Sequence, residues 1–549
     1  MTNPDGPHTG RVPTRAERGM VATPHVLAST TGLAVLRRGG SAVDALVAAN
    51  AVLCVVYPHM AGLGGDAFAL VATPDGTLRG LNASGPAAAG ATREAYRSRG
   101  HTDAIPSRGP AAALTVPGAV DGWRELHEAH GRLAWSELFD DAARLADDGA
   151  PVARSLAQWA ADDVRVLSQH EEAARVFLRP DGSAPREGER LRLPELAASL
   201  RVVAERGARE GFYEGELADR LCRGAGDASP LDPADFAAFR AEWVEPLTTT
   251  YRGLTVAELP PNTQGFAALQ ILQLLEGWDV AAWPDNGVEF LHHAAEAVKL
   301  AFADRNAWLT DPARLDIPLD RLLDKAYADR RRALVSDRAL DMDTTEPGIP
   351  GPGSGPEQHG GDTVYLCAVD DAGLVVSLIQ SVYHDFGSAV VPAGTGVLLQ
   401  NRGSFFSLAD DHPNALEPGK RTFHTLIPGM LLRDGRPWAA VGTMGGEGQP
   451  QTHAALVTRL HDRGYDAQQA VEAPRWLMGR TWGAESQDLW LEGRIADPVA
   501  HELERRGQPV KLLPDWDDNC GHASVIRVTE AGFLEGGADP RGDGAALGW

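Results

Sequence analysis

Two apolar runs joined by a short polar turn decide the fold of this 549-residue chain. They are Thr363-Val-Tyr-Leu-Cys-Ala-Val369 and Leu374-Val-Val-Ser-Leu-Ile-Gln-Ser-Val382, on either side of Asp370-Asp-Ala-Gly373. Two β-prone runs about a glycine-containing turn predict a β-hairpin. Both runs are apolar at successive positions. Both faces of their sheet are therefore predicted to be covered, as in a layered α/β sandwich.

The segment before the hairpin has a contrasting composition. Residues 346–361 are mainly glycine, proline and polar side chains, which predicts a flexible linker. Residues 1–18 are polar and predict a loose tail. The Ala/Val-rich run at 41–56 predicts a buried helix, and residues 67–72 predict a strand. The patterns in the middle of the chain predict helices at 135–148, 194–206 and 287–308.

Composition and charge exclude several classes of function. The chain carries 75 acidic against 51 basic residues, a formal net charge of −24, so we expect no nucleic-acid partner. No run approaches the roughly 20 apolar residues that span a bilayer. The N-terminus lacks the apolar core of a secretory signal, so we expect a cytoplasmic protein without a membrane partner. Four isolated cysteines argue against a structural zinc site, and we expect no metal.

Thr363 stands where the predicted linker meets the predicted buried strand. If the bond between Asp362 and Thr363 were cut, Thr363 would carry its hydroxyl beside its own free α-amine. Such an amine has an ordinary pKa of about 8 and can act as general base for the hydroxyl. The cut itself needs no protease, because the hydroxyl can attack the preceding carbonyl. The hairpin register places Thr363 opposite Gln380 or Ser381. The Ser381 hydroxyl could hydrogen-bond to the Thr363 amine or Oγ1 and fix its rotamer.

The hairpin resembles the small-subunit start of the γ-glutamyltransferase family, which are N-terminal-nucleophile hydrolases made as one chain and self-cleaved before a threonine. The resemblance runs in order from about residue 19 to the C-terminus. The segments that carry it are Gly19-Met-Val-Ala-Thr-Pro-His25, Gly39-Gly-Ser-Ala-Val-Asp-Ala45, Gly62-Leu-Gly-Gly-Asp66, Phe212-Tyr-Glu-Gly-Glu216, Pro260-Pro-Asn-Thr-Gln-Gly265, Glu296-Ala-Val-Lys-Leu-Ala-Phe-Ala-Asp-Arg305, Gly360-Gly-Asp-Thr363, Leu398-Leu-Gln-Asn401 and Gly442-Thr-Met-Gly-Gly446.

This resemblance implies a four-layer αββα sandwich with a helical excursion in the large subunit. It implies a large subunit of residues 19–362 and a small subunit of residues 363–549, both from one chain; a dimer of such heterodimers stays open. Thr363 would be the nucleophile, and the Ser381 hydroxyl would contact it. Gly445 and Gly446 would form the oxyanion hole, since two backbone N–H groups can stabilise a tetrahedral oxyanion. No cofactor is implied, because an N-terminal threonine works without one.

Several substrate-binding positions depart from the family pattern. Asn82 stands where an arginine binds the α-carboxylate of glutamate, and His424 and Thr425 stand where a pair of serines is expected nearby. Arg402 and Phe405 replace acidic or amide residues that bind the α-ammonium, and Tyr383 occupies another position that is usually polar or acidic. An ammonium would be repelled by Arg402, whereas the planar guanidinium suits a carboxylate.

We therefore predict an amide hydrolase or acyltransferase that takes a small amide or peptide-like substrate. Its acyl group is predicted to carry a carboxylate but no α-ammonium, as in an oxamate-like or dicarboxylic half-amide. Three alternatives stay open on the sequence: an authentic γ-glutamyl transferase or glutathione hydrolase, a C–C bond hydrolase of a biosynthetic pathway, and an uncleaved, non-catalytic scaffold.

Overall fold

The predicted hairpin lies at the centre of a layered α/β fold. A computed structural model describes residues 9–352, 362–480 and 486–549. The described strands are β1 (Thr14–Ala16), β2 (Met20–Thr23), β3 (Asp66–Ala72), β4 (Leu78–Ala83), β5 (Ala150–Pro151), β6 (Arg190–Leu191), β7 (Glu242–Val244), β8 (Leu247–Tyr251), β9 (Leu254–Glu258), β10 (Asp362–Val369), β11 (Val375–Tyr383), β12 (Gly429–Arg433), β13 (Arg436–Thr443), β14 (Trp476–Met478), β15 (Leu489–Glu492), β16 (Val510–Leu513), β17 (Ala523–Val528), β18 (Leu534–Ala538) and β19 (Ala545–Gly548).

The helices cover the outer faces of the strands. They are α1 (Val26–Arg37), α2 (Ala42–Val56), α3 (Arg93–Ser98), α4 (Ala119–His130), α5 (Asp140–Asp148), α6 (Arg154–Asp162), α7 (Val164–Leu167), α8 (Glu171–Phe177), α9 (Pro194–Ala208), α10 (Glu216–Gly224), α11 (Pro233–Ala238), α12 (Gly265–Glu276), α13 (Val288–Trp308), α14 (Leu319–Leu322), α15 (Lys325–Arg332), α16 (Gln449–Val457), α17 (Ala467–Glu472) and α18 (Asp497–Arg505). The helix predicted for 135–148 begins with a 3₁₀ turn, Trp135–Phe139, and becomes α-helical as α5.

Two seven-stranded sheets form the middle of the molecule. One has the order β19-β2-β10-β11-β3-β4-β7 and the other the order β1-β18-β17-β13-β12-β9-β8. A buried apolar cluster that includes Phe68, Tyr365, Met430 and Ile526 lies between them. A second cluster joins the first sheet to helices that include α1 and α2, and a third joins the other sheet to α12, α13 and α16. The predicted four-layer αββα sandwich is confirmed.

Burial on both faces of the sheet explains why the sequence of the β10–β11 hairpin is uniformly apolar. Its ladder runs antiparallel from Val369–Val375 to Val364–Gln380. Tyr365 and Cys367 face the cluster between the sheets, whereas Val364 faces the helices. Successive strand residues point to opposite faces, so a strand covered on both faces requires apolar residues at both parities.

The described parts of the two segments predicted to be loose make backbone hydrogen bonds to the rest of the chain. In the tail predicted for residues 1–18, Thr14–Ala16 form β1 and pair with β18, which gives an edge strand hydrogen-bond partners. In the linker predicted for 346–361, the backbone N–H of Gly348 donates to Asp304 and the carbonyl of Ile349 accepts from Trp308. These bonds anchor its first residues on α13. Residues 1–8 and 353–361 lie outside the described part of the chain.

Candidate active site

Thr363 lies at the start of β10, opposite an irregularity in β11. Val364 pairs with Gln380, but Asp362 pairs with Tyr383, so Ser381 and Val382 together oppose Thr363. This is a β-bulge, a feature that re-aims side chains and is frequent next to active sites. The Thr363 side chain is buried, and its Oγ1 has no hydrogen-bond partner among the described residues. A buried hydroxyl without a partner is uncommon, which keeps Thr363 a candidate for a chemical role.

The bulge also positions the two residues that follow it. The Ser381 Oγ accepts a hydrogen bond from the Tyr383 backbone N–H at 2.7 Å. This bond closes the turn in which Tyr383 has a φ of +82°, a left-handed conformation that is strained for a non-glycine residue. The Tyr383 ring thereby turns towards Phe405, with 4.6 Å between the ring centroids. Ser381 therefore shapes the wall beside Thr363.

Gly445 and Gly446 form the turn that follows β13. Their φ values are +116° and +52°, and glycine adopts this region without steric cost. The turn is brought near Thr363 by close packing of the two sheets at Gly442, where a Cβ would lie 2.3 Å from the ring of Tyr365. Gly442 is three residues before Gly445, and Tyr365 is two residues after Thr363. We call residues 445–447 the oxyanion loop, after the role that the family resemblance predicts for Gly445 and Gly446.

A buried network joins the oxyanion loop to the other side of the site. The Gln264 Nε2 donates to the carbonyls of Gly446 at 3.0 Å and Thr425 at 2.8 Å. The Gln264 Oε1 accepts from Arg305 at 2.8 Å, and Arg305 also donates to Glu447 at 2.7 Å. Because both ends of the Gln264 amide and the Arg305 guanidinium are engaged in these bonds, the loop is held in one arrangement.

Arg402 is a buried cation without a carboxylate partner. Its Nη1 donates to the Thr425 Oγ1 at 3.3 Å, and its guanidinium lies 4.2 Å from the Tyr383 ring centroid and 5.3 Å from that of Phe405. Its Nε has no hydrogen-bond partner, and no carboxylate oxygen of the described residues lies within 4.0 Å of its guanidinium nitrogens. Burial lowers the pKa of Arg402 to about 10, against the opposing pull of Tyr383 and Asp66, so the side chain is positive at neutral pH.

A buried carboxylate lies beyond Arg402. The Asp66 Oδ1 accepts from the backbone N–H groups of Gly85 and Gly118, each at 3.1 Å, and from Gln400 at 2.9 Å. Its Oδ2 lies 3.3 Å from the His424 Nε2. The His424 Nδ1 accepts from the Leu426 N–H, so the proton of the neutral ring is assigned to Nε2. Burial lowers the pKa of His424 well below its usual range, with Arg402 acting in the same direction.

Burial also raises the pKa of Asp66 from 3.8 to about 6, although its three hydrogen bonds from Gln400, Gly85 and Gly118 and the charge of Arg402 oppose the shift. The folded chain then binds more protons than the unfolded chain between these pH values, so this group's contribution to stability falls as pH rises from about 4 to 6. We expect the stability of Asp66→Asn relative to the parent to improve by up to about 3 kcal/mol between pH 4 and pH 7. Urea unfolding of both proteins at both pH values measures this difference in unfolding free energy. A difference that does not change with pH contradicts the prediction.

The remaining predicted substrate-binding residues separate into two groups. Tyr383, Arg402, Phe405 and Thr425 form a buried cluster around the Arg402 guanidinium, which we call the Arg402 wall. Asn82 lies elsewhere: its Nδ2 donates to Asn262 at 2.9 Å, and its Oδ1 accepts from the Ser84 Oγ and N–H. The His424 Nε2 hydrogen-bonds to the Asp66 carboxylate. The hydrogen bonds of Asn82 and His424 are therefore directed to neighbouring protein groups.

Four residues of the site were missed in the sequence: Asp66, Gln264, Arg305 and Glu447. Each lies inside or directly beside a segment that carries the family resemblance. Their position in these segments was the signal that could have identified them. Periodicity could not, because hydrogen-bond partners such as Asp66 and His424 are up to 358 positions apart in the chain.

The described part of the chain contains no cluster of three or more His, Cys, Asp or Glu side chains arranged for a metal ion. His292 and Glu296, which have metal-ligand spacing on α13, bond elsewhere: His292 to the Ser336 carbonyl, and Glu296 to Lys299. Among the described helices, none combines the length and the apolar character needed to cross a membrane.

The two central sheets between helical layers, with a buried threonine at the start of an inner strand, define the N-terminal-nucleophile hydrolase class of fold. Comparison with known proteins identifies the family. The gamma-glutamyltranspeptidase family model matches residues 28–549, and the chain belongs to this family of enzymes. The predicted family, fold class and enzymatic nature are confirmed.

Three similar proteins illustrate the range of the family. The chain is 44% identical over 533 residues to the glutathione hydrolase-like YwrD proenzyme of Bacillus subtilis strain 168, covering 96% of this chain and 98% of that protein. It is also 44% identical over 549 residues to the oxamate amidohydrolase proenzyme of Klebsiella pneumoniae, covering 99% and 100%. The crystal structure of cephalosporin acylase from Bacillus halodurans superposes with a TM-score of 0.91 at 38% identity, covering 100% and 99%.

Proposed function

We propose that this enzyme cleaves itself before Thr363 and then hydrolyses amides whose acyl group carries a carboxylate but no α-ammonium, such as oxamate-like or dicarboxylic half-amides. Two similar proteins are named as proenzymes, one of them an oxamate amidohydrolase, which supports both parts of the proposal. The large subunit would be residues 19–362 and the small subunit residues 363–549.

Cleavage begins when the Thr363 Oγ1 attacks the carbonyl carbon of Asp362. The C–N bond of that peptide breaks as the C–O bond forms, and the proton moves from the hydroxyl to the departing nitrogen. Water then hydrolyses the ester, which leaves Thr363 with a free amine. The absence of any hydrogen-bond partner for Oγ1 among the described residues favours this attack, because no competing bond has to break.

Turnover uses the same oxygen. The Thr363 amine accepts the hydroxyl proton as Oγ1 attacks the substrate carbonyl. The backbone N–H groups of Gly445 and Gly446 stabilise the oxyanion, and the protonated amine returns its proton to the leaving nitrogen. Water, or an acceptor amine, then takes the acyl group from Thr363.

The observation that carries the substrate class is the uncompensated charge of Arg402. A buried guanidinium without a carboxylate partner costs several kcal/mol, a cost that a bound carboxylate offsets. Thr425 and the two aromatic rings occupy one edge and the faces of the guanidinium, which leaves its Nε edge for a ligand. A ligand ammonium at this position would be repelled.

The oxyanion loop provides a kinetic test of the network that holds it. We expect Gln264→Ala to lower kcat about 10- to 100-fold with little change in KM, since a misaimed oxyanion donor acts on the transition state. Steady-state kinetics measure both constants. An increase in KM at constant kcat contradicts this expectation, and a thermal melt controls for loss of folding.

Intact-mass analysis with a substrate panel tests the proposed function. We expect two fragments, ending at Asp362 and beginning at Thr363, and faster turnover of oxalyl and glutaryl amides than of γ-glutamyl-p-nitroanilide. Preference for the γ-glutamyl compound overturns the substrate class. A persistent full-length chain without activity points to the scaffold, and C–C cleavage with inert amides overturns the amide chemistry.

A further inference from the structure

A cleft of about 1050 Å³ opens beside the oxyanion loop. We call it the α13 cleft, because Phe302, Arg305 and Asn306 of α13 form one wall; Glu447 and Arg480 also line it. Arg305 lies between the cleft and the Arg402 wall. Its guanidinium is 3.7 Å from the ring centroid of Phe302 and 5.7 Å from that of Phe423.

Phe423 continues this partition, because its ring lies against Phe405, with 5.0 Å between the centroids. Phe405 in turn contacts Arg402. Arg305 and Phe423 therefore lie between the α13 cleft and the Arg402 wall, and both the cleft and the wall adjoin the network that holds Gly446.

The charges where the cleft meets the oxyanion loop do not cancel. The Glu447 Oε2 accepts a hydrogen bond from the Arg305 Nη2 at 2.7 Å, and the Glu447 Oε1 lies 3.8 Å from the Arg480 Nε. Two guanidiniums thus share one carboxylate. The Arg480 Nη1 is buried and has no hydrogen-bond partner among the described residues. A buried, charged donor without a partner is a binding position for an anion.

Acidic side chains also line the cleft, but they do not compensate Arg480. Asp343 and Glu346 are exposed at the rim, and Asp488 pairs with Lys511 at 2.7 Å. The described residues thus leave a positive position beside Glu447 and a negative rim around it.

We propose that the α13 cleft is the leaving-group subsite and that Arg480 binds a carboxylate carried by the departing amine. This inference rests on the proposed function, which assigns the acyl group to Arg402. A substrate carbonyl at Gly446 has its acyl side towards the Arg402 wall. The opposite side of its amide bond then extends past Glu447 into the cleft, towards Arg480.

Two amides with the same acyl group test this subsite. They are N-glutaryl-4-aminobenzoate and N-glutarylaniline, which differ only in the carboxylate of the leaving amine. We expect the parent to favour the first about 10-fold in kcat/KM, the effect of roughly one partly exposed charge-assisted contact. Arg480→Gln should bring this ratio close to 1, and Arg480→Lys should retain part of it. Arg165→Gln, at an exposed arginine on α7, is the matched control and should keep the parental ratio.

Binding of the product amine gives a readout that does not require turnover. By calorimetry with the mature protein, we expect 4-aminobenzoate to bind about 10-fold more weakly to Arg480→Gln than to the parent and the control. A parental ratio near 1, a ratio unchanged in Arg480→Gln, or equal affinity for 4-aminobenzoate overturns the inference. If neither amide is hydrolysed but Arg480-dependent binding remains, the proposed function fails and the anion site stands.

Discussion

Replacing Thr363 by alanine is expected to leave a full-length, uncut chain with no measurable amide hydrolysis. One side chain supplies the oxygen for both self-cleavage and turnover, so its removal abolishes both steps. Loss of a catalytic nucleophile lowers kcat by about 10⁴-fold or more. Denaturing electrophoresis reports the cleavage, and release of amine from a glutaryl amide reports the turnover.

Two variants control this experiment. Thr363→Ser keeps the hydroxyl and should be cut, with residual activity. Thr250→Ala removes an exposed threonine from β8 and should behave as the parent. Cleavage of Thr363→Ala at the parental rate, or a mature N-terminus elsewhere than Thr363, would refute the assignment.

Replacing Arg402 by glutamine is expected to remove the preference for carboxylate-bearing acyl groups. The buried guanidinium lacks a carboxylate partner among the described residues, so a substrate carboxylate gains a charge-assisted contact at low local dielectric. We expect kcat/KM for oxalyl and glutaryl amides to fall about 100- to 1000-fold, equivalent to about 3 to 4 kcal/mol. Amides of uncharged acyl groups should lose much less.

Arg402→Lys distinguishes charge from geometry. Lysine keeps the charge but lacks the planar fork, so it should restore only part of the activity on charged acyl groups. An equal loss on charged and uncharged acyl amides would show that Arg402 acts by packing against Tyr383 and Phe405 alone. Self-cleavage of each variant, followed by intact mass, shows whether the fold has formed.

Local sequence pattern was sufficient for the hairpin and for much of the helical layer. Two apolar runs about a glycine-containing turn identified the β10–β11 hairpin, and the Ala/Val-rich run at 41–56 identified α2. The pattern of residues 1–18 did not indicate the pairing of Thr14–Ala16 with β18, because an edge strand can be formed by polar residues.

The sequence could not reveal which polar residues share a site. It identified Arg402 as a departure from the family pattern, but its lack of a carboxylate partner is a three-dimensional fact. Asn82 appeared as a substrate-binding candidate, whereas its amide bonds to Asn262, 180 positions away. Gln264 escaped notice because its partners, Thr425 and Gly446, belong to distant loops.

Apolar periodicity and motif order are properties of the chain alone. They were sufficient to identify the family and the layered architecture, and to single out Thr363 where a Gly/Pro-rich segment meets an apolar run. Three features of the site required the folded chain. Thr363 lies opposite a bulge, Arg402 is buried with no carboxylate within 4.0 Å among the described residues, and the α13 cleft adjoins the oxyanion loop. Burial and charge pairing depend on which distant segments meet, and the free energies that follow from them arise only once the sheets have packed.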